Sequence, residues 1–241
     1  MFQESSVDCL AISYEGEAKG MKSKKWTLLA TSLTAMVLMA ACAQSTTTSN
    51  TNATTNSATT TATKTNQSSY FTEKDNDTSY DESTASKIEL SGSSANVSGD
   101  GVTVSESTVT ITKSGTYVIS GQSDGVQIKV EADKSADVHL VLKGATMTNT
   151  NAAISATSAG HVYLTLAEGT TNSLSDSSTN SDEKADAALF SKVDLTINGK
   201  GTLNVEGKKN NGIKANDTLH ITGGTYNITA VGDCLLYTSD A

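Results

Sequence analysis

The sequence of 241 residues has no proline and no arginine, so all 17 of its basic residues are lysine. Aromatic residues make up 5% of the chain, with a single tryptophan. A central β-strand needs every backbone N–H for its ladder, and the absence of proline permits many such strands. The 18 glycines and the long runs of threonine, serine and asparagine argue against a helical bundle.

The charge balance excludes one class of partner. The formal net charge is −9, and the lysines form no patch. Because neutralising nucleic-acid phosphates requires clustered cations, we expect no nucleic-acid partner. An acidic surface favours cations and neutral ligands.

The three cysteines are poorly placed to build a disulfide framework or a cysteine-ligated zinc site. Cys9 precedes a signal-like segment, Cys42 ends that segment, and Cys234 lies in an atypical C-terminal stretch. We therefore expect no paired thiol in the folded domain.

Residues 21–41 have the features of a bacterial signal peptide, in which three lysines precede an apolar run from Trp26 to Ala41. The run is too short for a membrane span of about 20 apolar residues. Leu38-Met39-Ala40-Ala41-Cys42 resembles a lipobox, although Met39 departs from the usual leucine, and an ordinary secretory signal is the alternative. We predict lipid attachment at Cys42, which would hold the protein on the extracellular face of the plasma membrane, in a Gram-positive bacterium, as its only membrane contact.

The remaining boundaries follow from changes in composition. Residues 1–20 precede the signal and are interpreted as mis-called upstream sequence, while residues 42–69 are predicted to be a disordered Thr/Ser/Asn linker. The folded domain is expected to span residues 70–233. Residues 234–241 resemble the translation of a sequencing adapter, so the natural chain is expected to continue beyond Asp233.

A repeated strand is the most informative feature of this domain. Four similar apolar triplets begin at Leu140, Leu164, Leu195 and Leu219. The first and third intervals are equal, and the second is longer because a polar insertion at residues 173–184 lies within it. Two further strands recur with the same period, one of them placing Asn172, Asn204 and Asn227 in equivalent positions.

This repeat predicts an all-β parallel β-helix with three strands per rung and an N-terminal β cap. The four leucines would form an inward stack, with Leu164 beside Leu195 across the insertion. The matching outward column would contain Val141, Thr165, Thr196 and His220.

One turn position carries a side-chain oxygen in every copy. These residues are Asn151, Asp186, Asn210 and Asp233. Stacked oxygens suit a hard cation such as Ca²⁺, which takes 6–8 oxygen ligands. The alternative is an asparagine-type ladder in which the same side chains only form hydrogen bonds along the coil.

The outward faces supply the candidates for ligand binding. Strand parity places Phe190 outward beside Lys214, although a role as a lid under the 173–184 insertion is equally open for Phe190, and His220 lies in the outward column. With few aromatic residues for stacking, the sequence favours an acidic polysaccharide bound through cations and lysine. No nucleophile motif is present, and Lys192, Lys200 and Lys214 are the formal candidates for a lyase base.

The chain resembles bacterial surface proteins labelled carbohydrate-binding domain-containing, which are similar to a calcium-binding parallel β-helix that binds polygalacturonate. The resemblance covers residues 70–233 and implies a right-handed, pectate-lyase-like coil without a demonstrated lyase role. The residues that support it are Tyr70–Thr72, Thr108–Val118, Leu166–Gly169, Ala188–Lys192, Asp194–Gly199, Asn211–Ile213 and Ile221–Gly224.

These observations predict a monomeric cell-surface protein that binds an acidic polysaccharide without catalysis and with Ca²⁺. A structural adhesin or cell-wall spacer is one alternative. A polysaccharide lyase is the other.

Overall fold

The computed structural model describes the backbone of residues 7–13 and all of residues 70–238. The predicted signal peptide, the lipidation site at Cys42 and the linker lie outside these residues and stay predictions. Apart from a 3₁₀ turn at Lys74–Asn76, the regular structure described is entirely β. No helix within the described ranges is long and apolar enough to cross a membrane.

Eighteen strands are described. They are β1 (Val7–Ser13), β2 (Ser86–Gly92), β3 (Ser94–Ser98), β4 (Val102–Ser105), β5 (Thr108–Ile111), β6 (Gly115–Asp124), β7 (Gln127–Glu131), β8 (Asp137–Thr148), β9 (Ile154–Ser158), β10 (His161–Leu166), β11 (Thr171–Ser175), β12 (Ala187–Ser191), β13 (Leu195–Gly199), β14 (Thr202–Gly207), β15 (Asn211–Ala215), β16 (Leu219–Ile221), β17 (Thr225–Ala230) and β18 (Leu235–Tyr237).

The strands form two sheets of mostly parallel strands. The larger sheet runs β1-β17-β14-β11-β8-β10-β13-β16, with β6, β2 and β3 attached through β8, and the smaller runs β18-β15-β12-β9-β7-β5-β4. Antiparallel pairs occur at β2–β3, β4–β5 and β1–β17. The all-β class is therefore confirmed, whereas neither sheet closes, and the right-handed three-strand coil stays a prediction.

The repeat produces in-register parallel pairing, as predicted for its two equal intervals. Leu140 pairs with Leu164, and Leu195 pairs with Leu219. In the smaller sheet, Leu189 pairs with Ile154 on one side and with Ile213 on the other. Equivalent residues of successive copies therefore lie side by side.

The predicted register was wrong across the insertion. Leu164 pairs with Ile197 instead of Leu195, and Leu195 pairs with Val162. Because this shift is two positions along the strand, each apolar side chain keeps its face, since side chains alternate with a period of two. The outward columns are therefore His139, Tyr163, Thr196 and His220 in one line, and Val141, Thr165 and Asn198 in the next.

Most large apolar side chains of both sheets pack into one core, which includes Leu140, Leu164, Leu195 and Ile197. Two small apolar clusters lie apart from this core. One contains Val118, Val141 and Ala167, with Tyr80 packed against it. The other contains Ala152, Ala185 and Phe190.

Part of the C-terminal stretch belongs to the smaller sheet. Strand β18 pairs in parallel with β15, placing Leu235 beside Ile213. Cys234, which lies just beyond the predicted domain of residues 70–233, forms a disulfide bond. The backbone of Cys234 is held in the sheet through the hydrogen bond from Ile213 N to its carbonyl oxygen.

Candidate functional site

A polar cluster lies where β12 and β15 run side by side, and it contains three of the predicted site residues. The carboxylate of Asp186 accepts a hydrogen bond from Lys214 Nζ at 2.6 Å and another from Asn210 Nδ2 at 2.7 Å. The side chains of Lys214 and Asp186 are only 14% and 15% exposed. Burial by itself would raise the pKa of the Asp186 carboxyl, but the hydrogen bonds from Lys214 and Asn210 lower it.

Strand register brings these residues together. Asp186 immediately precedes β12, Asn210 immediately precedes β15, and Ala187 pairs with Asn211. Asn151 occupies the same position before β9, because Ile154 pairs with Leu189. The Oδ1 atom of Asn151 is buried and has no hydrogen-bond partner among the described residues.

The fourth predicted ligand lies out of register. Ile213 pairs with Leu235, which places Gly232 rather than Asp233 beside Asn210. Asp233 instead lies opposite Asn211, whose Oδ1 accepts a hydrogen bond from its backbone N–H at 3.3 Å. The predicted column therefore holds three residues with side-chain oxygens and not four, because this last turn is shorter than the others.

The aromatic candidate is not at the surface. Phe190 pairs with Lys214 as predicted, but its ring is 4% exposed and packs with Ala152 and Ala185. A buried ring offers no face for stacking on a sugar. The contact with Ala185, which directly follows the 173–184 insertion, favours the alternative role as a lid.

Oxygen atoms suited to a hard cation are present in this polar cluster. Among the described residues, no three His, Cys, Asp or Glu side chains come together to hold a metal ion. The cluster offers the carboxylate of Asp186 and the amide of Asn210, and the neighbouring register position holds Asn151, whose buried oxygen has no partner among the described residues. Carboxylate and amide oxygens are of the type that Ca²⁺ binds, although these three are fewer than the 6–8 oxygen ligands the ion takes. The ammonium of Lys214 supplies the positive charge beside the carboxylate.

The remaining candidate, His220, lies on the other sheet and is covered. Residues 70–77, called the N-terminal strap below, lie across β13 and β16. The rings of Tyr70 and Phe71 contact His220 edge-on, with centroids 5.3 and 5.0 Å from the imidazole. The side chain of His220 is 13% exposed. The expectation that the outward column is open to ligand is therefore not met at this residue.

The carboxylate of Asp75 forms hydrogen bonds that anchor the strap to the sheet. It accepts hydrogen bonds from Thr196 Oγ1 at 2.6 Å and from the backbone and side chain of Thr72 at 2.8 Å each. His220 Nδ1 lies 3.3 Å from the same carboxylate. Burial would raise the pKa of the Asp75 carboxyl, but the hydrogen bonds from Thr196 and Thr72, with the contact to His220, lower it to about 2.

Two histidines extend this network. Because Thr196 Oγ1 donates to Asp75, it must accept a hydrogen bond from His161 Nε2, 2.8 Å away. By the same reasoning, Thr165 donates to Asn198 Oδ1 and accepts from His139 Nε2 at 2.7 Å. Both imidazoles therefore carry a proton on Nε2. Burial lowers the pKa of both histidines, which favours their neutral forms.

The edge of the strap leaves a cleft of about 230 Å³ against the sheet. Lys74 contacts Asp137 in an ion pair, and its Nζ lies 4.9 Å from the centre of the Tyr163 ring. Burial, followed by the nearby carboxylates, raises the pKa of Tyr163 to about 12. Asp77 and His139 also line the cleft.

Sequence reasoning missed Asp75, Asn198 and Tyr163. Asn198 and Tyr163 follow the strand alternation and could have been found with the correct register. Asp75 could not, because the strap carries no repeat and its carboxylate meets Thr196, a residue 121 positions later in the chain.

Comparisons with known proteins place these features in context. The family described as carbohydrate-binding domain-containing protein matches residues 105–240. A solved structure, described as the polysaccharide lyase-like protein from C. thermocellum in a gadolinium derivative, is 39% identical, with a TM-score of 0.57. The match covers 59% of this chain and 60% of that chain, so this chain spans about three fifths of that protein. No curated protein matches the chain.

Proposed function

The chain belongs to the carbohydrate-binding domain-containing protein family, and from this premise we propose that it binds an acidic polysaccharide, of the polygalacturonate kind, without cleaving it. The observation that supports this proposal is the cluster of Asp186, Asn210 and Lys214. It holds an ammonium group for a uronate carboxylate beside oxygen atoms for a cation.

Lys214 provides the direct contact to the polysaccharide in this proposal. Its ammonium is paired with Asp186 and lies on the outward side of β15. A uronate carboxylate competes with Asp186 for this ammonium, since both are hydrogen-bond acceptors of the same charge. The ion pair therefore has to exchange when the polysaccharide binds.

Calcium assists this exchange. Asn151, Asp186 and Asn210 would hold the ion, which supplies positive charge to Asp186 in place of Lys214. Calcium dependence of polysaccharide binding is the expected consequence.

The setting of the protein is also part of the proposal. The parallel strands would belong to a right-handed β-helix with three strands per rung, a monomer held at the surface of a Gram-positive cell by lipid on Cys42. The structural relative is called lyase-like, so an assay for cleavage belongs in any test of binding.

Affinity electrophoresis of the full chain in gels containing polygalacturonate tests the proposal. We expect retardation that requires Ca²⁺ and is removed by EGTA, with no release of unsaturated products that absorb ultraviolet light. Lys214→Met should lose most of the retardation, whereas Lys134→Met, at an exposed lysine, should keep it. Equal migration with and without polygalacturonate would contradict the proposal, and release of unsaturated products would establish a lyase.

A further inference from the structure

Beneath the strap, two side chains of β13 and Thr222, which directly follows β16, donate hydrogen bonds to strap oxygen atoms. Thr196 Oγ1 donates to the Asp75 carboxylate, Asn198 Nδ2 donates to the carbonyl oxygens of Asp75 and Asp77 at 3.1 Å each, and Thr222 Oγ1 donates to the Asp75 carbonyl at 2.8 Å. Three side chains thus make four hydrogen bonds, and the strap supplies the acceptor in each.

The acceptors of the strap match the chemistry of an acidic sugar. Asp75 contributes a carboxylate, 2% exposed, and two carbonyl oxygens lie close to it. A uronate unit likewise carries one carboxylate surrounded by hydroxyl and ring oxygens. Two donors come from alternate positions on β13, about 6.6 Å apart, and the third comes from the residue that directly follows β16, a strand about 4.8 Å away, a spacing that a sugar unit can bridge.

The strap can dissociate from the sheet without disrupting the pairing of any strand. Within the described part of the chain, residues 70–77 pair with no strand, and their only regular structure is the 3₁₀ turn at Lys74–Asn76. Side chains of the sheet hold them, by hydrogen bonds to the Asp75 carboxylate and to the backbone carbonyl oxygens of Asp75 and Asp77. The cleft beside Lys74 and Tyr163 gives a ligand access to the edge of the strap.

We propose that the donor face formed by Thr196, Asn198 and Thr222 is a binding site for a uronate unit, and that the strap competes for it, with Asp75 in place of the sugar carboxylate. This inference rests on the proposed function, since it takes the ligand to be an acidic polysaccharide. It adds a second polysaccharide-binding site, on the sheet that does not contain Lys214. The strap occupies this site when no ligand is bound.

Internal competition predicts how affinity changes. When only a fraction of molecules has the face open, apparent affinity is reduced by that fraction. Asp75→Ala removes the charged acceptor and weakens the strap, so the apparent Kd for polygalacturonate should fall by about tenfold, the equivalent of one charge-assisted hydrogen bond. Glu73→Ala, at an exposed strap residue without a described side-chain contact, should leave the Kd unchanged.

Calorimetric titration of the full chain with polygalacturonate measures these values. The gain in Asp75→Ala should disappear in the double variant Asp75→Ala/Thr196→Val, which lacks the donor that the uronate would use. An unchanged or weaker affinity in a folded Asp75→Ala protein would overturn the proposal.

Hydrogen exchange in the parent protein gives a second measurement, in case the variant fails to fold. Polygalacturonate should speed exchange of the backbone amides in residues 70–77, because the ligand displaces the strap. Slower or unchanged exchange under saturating ligand would overturn the proposal. If the parent binds and only Lys214→Met loses binding, the proposed function stands without the second site. If no variant binds, both fail.

Discussion

Leu195 in β13 lies beside Leu219 in β16, paired in parallel register. Leu195 is 1% exposed, whereas Leu219, on the edge strand, is only partly buried against the same core. Two leucines that the sequence presents as equivalent therefore differ in how much apolar surface they remove from water.

This difference predicts unequal costs of truncation. Leu195→Ala should lower the free energy of unfolding by about 2–5 kcal/mol, because it leaves a cavity in a packed core. Leu219→Ala should cost clearly less, since solvent already reaches that side chain. Urea denaturation followed by circular dichroism measures both values, and equal losses would show that the two leucines are buried alike.

The different environments of Asn172 and Asn227 predict unequal losses of stability when each is replaced by alanine. Asn172 Oδ1 accepts hydrogen bonds from the backbone N–H groups of Gly144 and Ala145 at 2.9 Å each, and the residue is fully buried. Asn172→Ala leaves the buried N–H of Ala145 and the more exposed N–H of Gly144 without this acceptor and should cost about 1–3 kcal/mol. Asn227→Ala is the matched control, because Asn227 is exposed and donates one hydrogen bond, to Asn204. Its loss should barely move the thermal midpoint, and a comparable drop in both variants would contradict this account.

Asp186→Asn separates the two roles assigned to the Asp186–Lys214 ion pair. Removing the charge of Asp186 releases the Lys214 ammonium, which then has no carboxylate within the pair to hold it. We expect the variant to bind polygalacturonate without Ca²⁺ and to lose any rise in thermal midpoint on adding Ca²⁺. Gel retardation and thermal denaturation, each with Ca²⁺ and with EGTA, measure the two effects. Retained calcium dependence of polysaccharide binding would show that Lys214 is not held back by Asp186.

Stability should fall in two separate pH ranges. The lowered pKa values of His139 and His161 mean that the unfolded chain binds protons more readily, so stability is complete above about pH 6.5 and declines as the pH falls below it. The Asp75 carboxyl adds a second loss, of about 2 kcal/mol, as the pH falls from 3.8 to about 2.

Thermal midpoints recorded from pH 8 to pH 2 test these ranges through two variants. His161→Gln keeps a side-chain N–H donor and does not titrate, so its thermal midpoint should change less than that of the parent as the pH falls below about 6.5. The midpoint of Asp75→Asn should change less than that of the parent as the pH falls from 3.8 to about 2. A parent midpoint that stays constant from pH 7 to pH 4 would contradict the assignment of neutral, buried histidines.

The sequence determined the inward face of the leucine-bearing strands and which copies of the repeat lie side by side. Alternating apolar residues specify the inward face because successive side chains point to opposite sides of a strand. A regular period brings equivalent strands into contact. For this reason the sequence alone predicts that Asp186 and Asn210 lie together.

Only the tertiary structure decided the register across irregular turns and the cover over the outward column. Asn172 and Asn204 look equivalent in sequence, yet Asn172 pairs with Leu203 and so points inward, because a slip of a single position reverses the face. The contact of Asp75 with Thr196 has no periodic signal at all. Periodicity arises from local backbone geometry, whereas the docking of a non-repetitive segment depends on which distant donors and acceptors the completed sheets bring within reach.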